Sequence, residues 1–279
     1  MTQRAGSTYL LAGQASEIDR LQLQSRVWEP AGRAFVQGLE YPDGARADGA
    51  PPAAVRALDA GCGVRGWLRV LSEWVGPRGR VTGIDFDDKM LANAQMFVES
   101  EKLGNVELVR DDLFASTLPD ASFDLVHARF QIAPLGRADE QLAFLRRVVK
   151  PGGWIVLEDP DIASWRINPA AAAASRLIDL IREGFVVAGG NFNSGRELPE
   201  YLSRYGEPRL SAQVIALPPG HPYLQLPVQF ATALKARLEA LVGARQLTEL
   251  LAQVEDELAR PGTWGTTFTL IQAAVRVER

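Results

Sequence analysis

Between residues 55 and 158 the chain alternates short apolar runs with longer segments of helical periodicity. The runs are Val55–Ala60, Arg80–Asp85, Val106–Arg110, Phe123–Ala128 and Trp154–Glu158. Their length and near-continuous hydrophobicity fit strands covered on both faces. The segments between them predict helices near 66–76, from Asp87 to near Gly104, and over about 138–149. Asp87 offers an N-cap and Gly104 a stop. Pro151, in "KPGG", cannot continue the third helix. This alternation predicts a parallel sheet wrapped by helices.

The flanks read differently. Residues 14–39 predict one or two helices with many charged positions, and 42–53 a Pro/Gly-rich linker. After the fifth run the alternation stops. Asn168 and Pro169 suit the start of a helix that carries the alanines 170–174 and runs to about Glu183. Gly195–Tyr205 predicts a helix, Leu210–Leu217 a strand, 224–258 further helix, and 266–277 a closing strand. The expected organisation is an N-terminal helical cap segment (1–41) and a Rossmann-like domain (54–279). That domain carries helical insertions at about 160–194 and 222–260. Both insertions leave the carboxyl side of the sheet, where ligands bind in open α/β folds.

Composition narrows the function. The 279 residues carry a net charge of −4 and no basic stripe interleaved with aromatics, which argues against a nucleic-acid partner. A single cysteine excludes an internal disulfide and a multi-cysteine zinc site, and suits a reducing cytoplasm. No stretch reads as a signal peptide or a membrane span. The expectation is a cytoplasmic protein, monomer or homodimer, acting on a small molecule and holding no metal.

The chemistry starts at "RALDAGCGVRGW", residues 56–67. Gly61, Gly63 and Gly66 form G-x-G-x-x-G between a strand and a helix, which lets a ligand approach the backbone and favours an anion at the helix start. Asp85 ends the second run, 19 positions after Gly66, and suits two ribose hydroxyls. A nicotinamide dinucleotide fits so far. Asp59, beside the loop, favours a ligand with an ammonium group over one with a pyrophosphate. The other reading of Asp59 is a carboxylate that caps the loop's own N–H groups.

These stretches resemble class I S-adenosylmethionine-dependent methyltransferases. "LDAGCG" (58–63), "VTGIDFDDKML" (81–91), "VELVRDDL" (106–113), "SFDLVHAR" (122–129) and "LRRVVKPGGWIVLED" (145–159) follow the family's motifs in order. The resemblance covers about 55–160 strongly and the rest in outline. It implies a mainly parallel seven-stranded α/β sheet with a last antiparallel strand, plus N-terminal helices and an inserted helical cap. It also implies S-adenosylmethionine as cofactor and S-adenosylhomocysteine as product. It assigns cofactor contacts to Asp59, Gly61, Cys62 and Gly63, to Asp85 and Phe86, and to Asp111, Asp112 and Leu113. Asp85 would hold ribose, Phe86 would lie against adenine, and Asp112 or its neighbour Asp111 would accept from the adenine amino group. Ala128, Arg129, Tyr9 and Arg20 complete the set, the last three as partners for the methionine carboxylate. Cys62 otherwise reads as a small packing residue. Arg65 either joins the carboxylate or faces solvent.

Methyl transfer from a sulfonium depends chiefly on alignment, and a base is needed only if the acceptor must lose a proton. His127 and Glu158 are the candidate catalytic residues; His127 otherwise packs into the sheet. Glu158, Asp159 and Asp161 act as base, as amine partner or as magnesium ligands, or simply cap their loop. His221 reads as a solvated loop histidine. Trp165, Phe185, Phe192, Tyr223, Phe230 and Trp264 fall in or beside the inserted segments, and part of this set lines an apolar pocket. The family's N-P-P-Y type motif is replaced by "HARF", which favours an oxygen or carbon acceptor and leaves nitrogen open. The rival readings are a cofactor-binding protein without transfer (a cyclase, a sensor or a partner subunit) and an NAD-dependent oxidoreductase.

Overall fold

The computed structural model describes residues 15–41 and 54–278. Tyr9 and the linker 42–53 lie outside the described residues. The first half follows the alternation in the sequence: α1 (Ala15–Gln37), β1 (Arg56–Ala60), α2 (Leu68–Val75), β2 (Arg80–Asp85), α3 (Asp88–Ser100), β3 (Val106–Arg110) and β4 (Phe123–Arg129). A short α4 (Ile132–Leu135), α5 (Ala138–Val148) and β5 (Val149–Asp161) follow. Asp87 caps α3 by accepting from the Lys89 and Met90 N–H groups. In α5, Asp139 and Glu140 sit in the first turn and Arg146 and Arg147 in the last, which complements the helix dipole at both ends.

The second half contains β6 (Arg166–Asn168), α6 (Ala172–Val187), α7 (Leu198–Ser203), β7 (Arg209–Gln213) and β8 (Ala216–Leu217). It closes with α8 (Leu226–Ala233), α9 (Lys235–Val242), α10 (Ala244–Ala259), β9 (Trp264–Thr266) and β10 (Thr269–Arg276). The seven-stranded main sheet has the order β3-β2-β1-β4-β5-β10-β7. β1 to β5 pair in parallel, and β10 runs antiparallel to both β5 and β7. This is the α/β architecture expected. Strands β6, β9 and β8 form a second, antiparallel sheet that the sequence reading missed.

Strand periodicity of two divides the core. Ala57, Leu125, Val156 and Ala274 face α1, α2 and α3 on one side. Leu58, Ala60, Val126, Ala128, Leu157 and Ala273 face α5 and α7 on the other. Phe185 and Leu177 of α6 and Phe230 of α8 belong to a third apolar cluster, which also takes in Trp28 of α1.

Two expected boundaries move for long-range reasons. Asn168 does not start a helix; it ends β6, paired with Trp264. Helix α6 begins later, and its free Ala173 and Ala174 N–H groups donate to the Glu257 carboxylate of α10. The strand expected over 210–217 splits, with β7 in the main sheet and β8 in the small one.

Candidate active site

A cavity opens at the carboxyl ends of β1, β2 and β4. The Gly61 and Cys62 N–H groups both donate to the Ile84 carbonyl at 2.9 Å, which fastens the glycine loop to β2. Gly66 holds a φ of +36°, and a Cβ there would collide with Asp59 Oδ2 and lie 2.7 Å from the Cys62 carbonyl oxygen. Gly63, at φ +55°, has open space where its Cβ would be.

Asp85 ends β2 at this loop. One of its oxygens accepts from Gly63 N–H at 2.9 Å and the other from Asp87 N–H at 3.0 Å. Each oxygen keeps a second lone pair for a ligand hydroxyl. Burial raises the Asp85 pKa, and these N–H groups oppose the rise. The ring of Phe86, 42% exposed, lines the same cavity. Asp111, Asp112 and Leu113 line it from the end of β3. Both Asp111 oxygens are engaged, by Asp112 N–H and by the Ser116 hydroxyl. On Asp112, Oδ1 accepts from Phe114 N–H.

Below the glycine loop a row of polar side chains crosses four strands. Asp59 pairs with His127 across β1 and β4, Arg129 with Glu158 across β4 and β5, and Glu158 with Gln272 across β5 and β10. Paired positions share a face, so all five side chains point toward α1 and α2. His127 Nδ1 lies 2.8 Å from Asp59 Oδ1, and its Nε2 lies 3.4 Å from Glu158 Oε2. The other Asp59 oxygen accepts from Trp67 N–H at 2.7 Å. The Trp67 ring stacks on the imidazole at 3.8 Å between centroids. Glu158 Oε1 accepts from Gln272. Burial pulls the His127 pKa down, but the hydrogen bond to Asp59 and the nearby Glu158 carboxylate outweigh it and hold the imidazole above its ordinary value.

This geometry corrects several expectations. His127 and Glu158 are fully buried, and neither lines the cavity, so neither is placed to take a proton from a bound acceptor. Asp59 reaches the cavity wall, but both its oxygens are engaged by protein groups, the Trp67 N–H and the His127 imidazole. The capping reading of Asp59 therefore accounts for its contacts, and it no longer separates one ligand from another. Ala128 packs in the core beside α5, because it sits one residue from His127 and points to the opposite face. Arg65 neither lines the cavity nor faces solvent; it pairs with Glu29 of α1 at 2.8 Å and covers the Phe97 ring. Glu158, Asp159 and Asp161 diverge: Asp159 accepts from Ala133 N–H on the far face, and Asp161 caps Ala163 and pairs with Arg196. His221 caps its own turn by accepting from Tyr223 N–H.

Gly61, Cys62, Gly63, Arg20 and Arg129 all line the cavity. Burial and the charges of Asp59 and Asp85 push the Cys62 thiol up, which suits the packing role. The wall opposite the glycine loop is aromatic. Phe185, Phe192 and Phe230 line it, with Trp165 packed behind them. Phe130 and Phe268, edge to face at 5.7 Å, complete the wall and were missed in the sequence. Trp264 stands apart on β9, 43% exposed.

A family model described as "Methyltransferase domain" matches residues 57–153. The demethylmenaquinone methyltransferase of Geobacillus kaustophilus (strain HTA426) is 40% identical over 101 residues, 36% of this chain and 43% of that protein. The Listeria welshimeri protein of the same name is 36% identical over 112 residues, 39% of this chain and 48% of that protein. The chain thus spans less than half the length of these curated relatives. In fold it is similar to a SAM dependent methyltransferase from Aquifex aeolicus (TM-score 0.50, 23% identity, 73% of this chain and 92% of that one). It is also similar to geranyl diphosphate C-methyltransferase from Streptomyces coelicolor A3(2) (TM-score 0.50, 15% identity, 96% of this chain and 87% of that one). Among the described residues no helix is long and apolar enough to cross a membrane.

Proposed function

We propose that this chain, whose residues 57–153 match a methyltransferase-domain model and lie on a seven-stranded α/β sheet, is an enzyme that methylates a small, apolar or aromatic molecule with S-adenosylmethionine. One observation carries the reading: a single cavity joins the glycine loop and Asp85 to a wall of phenylalanines. The polar end suits a nucleoside with an amino-acid tail. Asp85 would take the ribose hydroxyls, Phe86 the flat face of the base, and Asp112 the exocyclic amine. When bound, the cofactor supplies an electrophilic methyl group. The chain's own part is alignment and exclusion of water. The phenylalanines shape the acceptor's half of the cavity, and the buried row of Asp59, His127 and Glu158 holds the loop beneath it.

The relatives are named for demethylmenaquinone. Phe185, Phe192, Phe230 and Phe268 lie beyond the matched domain. The acceptor reading therefore rests on the cavity and stays broader than that name.

The test is turnover. Purified protein is incubated with methyl-labelled S-adenosylmethionine and a panel of small aromatic and terpenoid molecules. Acceptor-dependent formation of S-adenosylhomocysteine, with label in the acceptor, supports the proposal. Binding of the cofactor with no turnover on any acceptor would favour a binding protein instead.

A further inference from the structure

One stripe of α1 runs along the aromatic wall of the cavity. Arg20, Gln24 and Trp28 are spaced by four residues, so they stack on one face of the helix. Both ends of the stripe touch the wall. The Arg20 guanidinium lies 4.6 Å from the centre of the Phe230 ring, and the Trp28 and Phe268 rings are 5.3 Å apart. Gln24 sits between these two contacts and lines the cavity. Ser25, the next residue, serves the glycine-loop side instead. Its hydroxyl accepts from Arg129 Nη2, which also donates to the Gly66 carbonyl.

The Gln24 amide has a fixed orientation. Arg20 Nη1 donates to its Oε1 at 2.7 Å. A guanidinium only donates, so the carbonyl end of the amide faces it and the NH2 end turns away. Arg20 is itself held by Glu17, which accepts from Nε at 2.8 Å and from Nη2 at 2.6 Å. That carboxylate offsets the arginine's charge, so the stripe offers the cavity a dipole rather than a net charge. Gln24 Nε2 has no hydrogen-bond partner among the described residues, and it keeps accessible surface on a side chain otherwise buried, at 7% exposure. An amide donor left unpaired beside phenylalanines is costly, and a ligand oxygen would satisfy it.

We propose that Gln24 sets specificity for the acceptor: its Nε2 donates to a neutral oxygen, a carbonyl or a hydroxyl, on the apolar or aromatic molecule. The inference rests on the methyltransferase reading and deepens it by giving the acceptor a polar group. Phenylalanines hold a ligand by shape alone. One directed hydrogen bond would fix its orientation, and with it the atom that meets the methyl group. A neutral oxygen suits the site better than an oxyanion, because the donor is uncharged and the arginine behind it already has its carboxylate. A protonated amine would set donor against donor.

The experiment is equilibrium dialysis of the full chain, with S-adenosylhomocysteine saturating, against 2-acetonaphthone and against 2-isopropenylnaphthalene. These probes share size and shape, and differ in a carbonyl oxygen against a CH2 group. The expected result is ~10-fold tighter binding of the ketone, beyond any difference between the two in water solubility, with that preference lost in Gln24→Met. Gln24→Glu keeps an acceptor for Arg20 but removes the donor, so it should lose the preference too while folding as the wild type does. Equal binding of the two probes by the wild-type protein overturns the proposal, as does a preference that survives either substitution, or binding of neither probe. A loss of S-adenosylhomocysteine affinity in Gln24→Met as large as the loss for the ketone also overturns it, because the amide would then serve the cofactor. Binding of S-adenosylhomocysteine to the wild-type protein is measured first and read separately: its absence contradicts the proposed function itself and removes the basis of this inference.

Discussion

His127 and Asp59 face each other as paired residues of β4 and β1, with Nδ1 2.8 Å from Oδ1, and the same carboxylate holds the Trp67 N–H that opens the way into α2. A histidine that reads as a candidate base in the sequence is thus a buried partner of the glycine loop's own anchor. Arg129, two residues on, bonds the Gly66 carbonyl from the same face. The loop is therefore fixed from below by β4.

Removing the charge of Asp59 should be costly in a pH-dependent way. His127 is held above its ordinary value by Asp59 and Glu158, with Arg129 as the nearby opposing charge. Its stabilising contribution is full below the unfolded value of 6.5 and is lost as pH rises through the folded value. Asp59→Asn leaves an imidazolium with one partner fewer, a loss of about 3–5 kcal/mol for a buried pair. Denaturant unfolding near pH 6 should show this loss, and a smaller one at alkaline pH. Equal losses at both would mean that His127 carries no proton in the folded protein.

Asp159 offers a second pH signature. Burial raises its pKa from 3.8 to about 8, against the opposing N–H groups of Ala133 and Ile132. Between those values the folded chain keeps a proton that the unfolded chain has lost, so this group's contribution to stability falls as pH rises. Asp159→Asn should flatten the dependence of Tm on pH, most cleanly between about 4.5 and 6, below the range where His127 adds a slope of the same sign. An unchanged slope would show that Asp159 is ionised throughout that range.

Glu29 joins α1 to the domain. It pairs with Arg65 at 2.8 Å and Arg69 at 2.5 Å, and with Arg33 on its own helix at 3.0 Å. Glu29→Gln should leave the sheet intact and speed hydrogen exchange over Ala15–Gln37. Exchange as slow as in the wild type would place the docking of α1 in its apolar contacts alone, such as Trp28 against Phe268.

Phe192 touches Phe185, Phe230, Phe268 and Trp165, with ring centres between 4.7 and 6.1 Å apart. Phe192→Ala should destabilise the protein by about 3–5 kcal/mol through lost burial and the cavity left behind. A loss below about 1 kcal/mol in denaturant unfolding would mean that the wall collapses to fill the gap.

The polar half of the site was legible because its parts are local. A strand, a glycine turn and the acid ending the next strand lie within thirty residues, and each type has one physical use there. The aromatic half was legible only as a composition. Phe185, Phe192 and Phe230 stood out in the inserted segments, but Phe130 and Phe268 reach the wall through sheet order, which brings the ends of β4 and β10 together around β5. The burial of His127 away from the cavity was hidden for a similar reason, since it depends on Glu158 and Trp67, which are distant in sequence. One signal was available: alternation along β4 already placed Ala128 on the face opposite His127 and Arg129. The cap that Glu257 supplies to α6 had no local trace, because the two segments meet only in the folded chain.

The central claim is that the glycine loop and Asp85 hold S-adenosylmethionine. Calorimetric titration of the wild-type protein and of Asp85→Ala, with NADH in parallel, tests it most directly. The account predicts micromolar binding of S-adenosylmethionine, no heat with NADH, and affinity weakened ~10-fold or more by Asp85→Ala through lost ribose hydrogen bonds. Binding of NADH alone, or an affinity for S-adenosylmethionine that Asp85→Ala leaves unchanged, would contradict it.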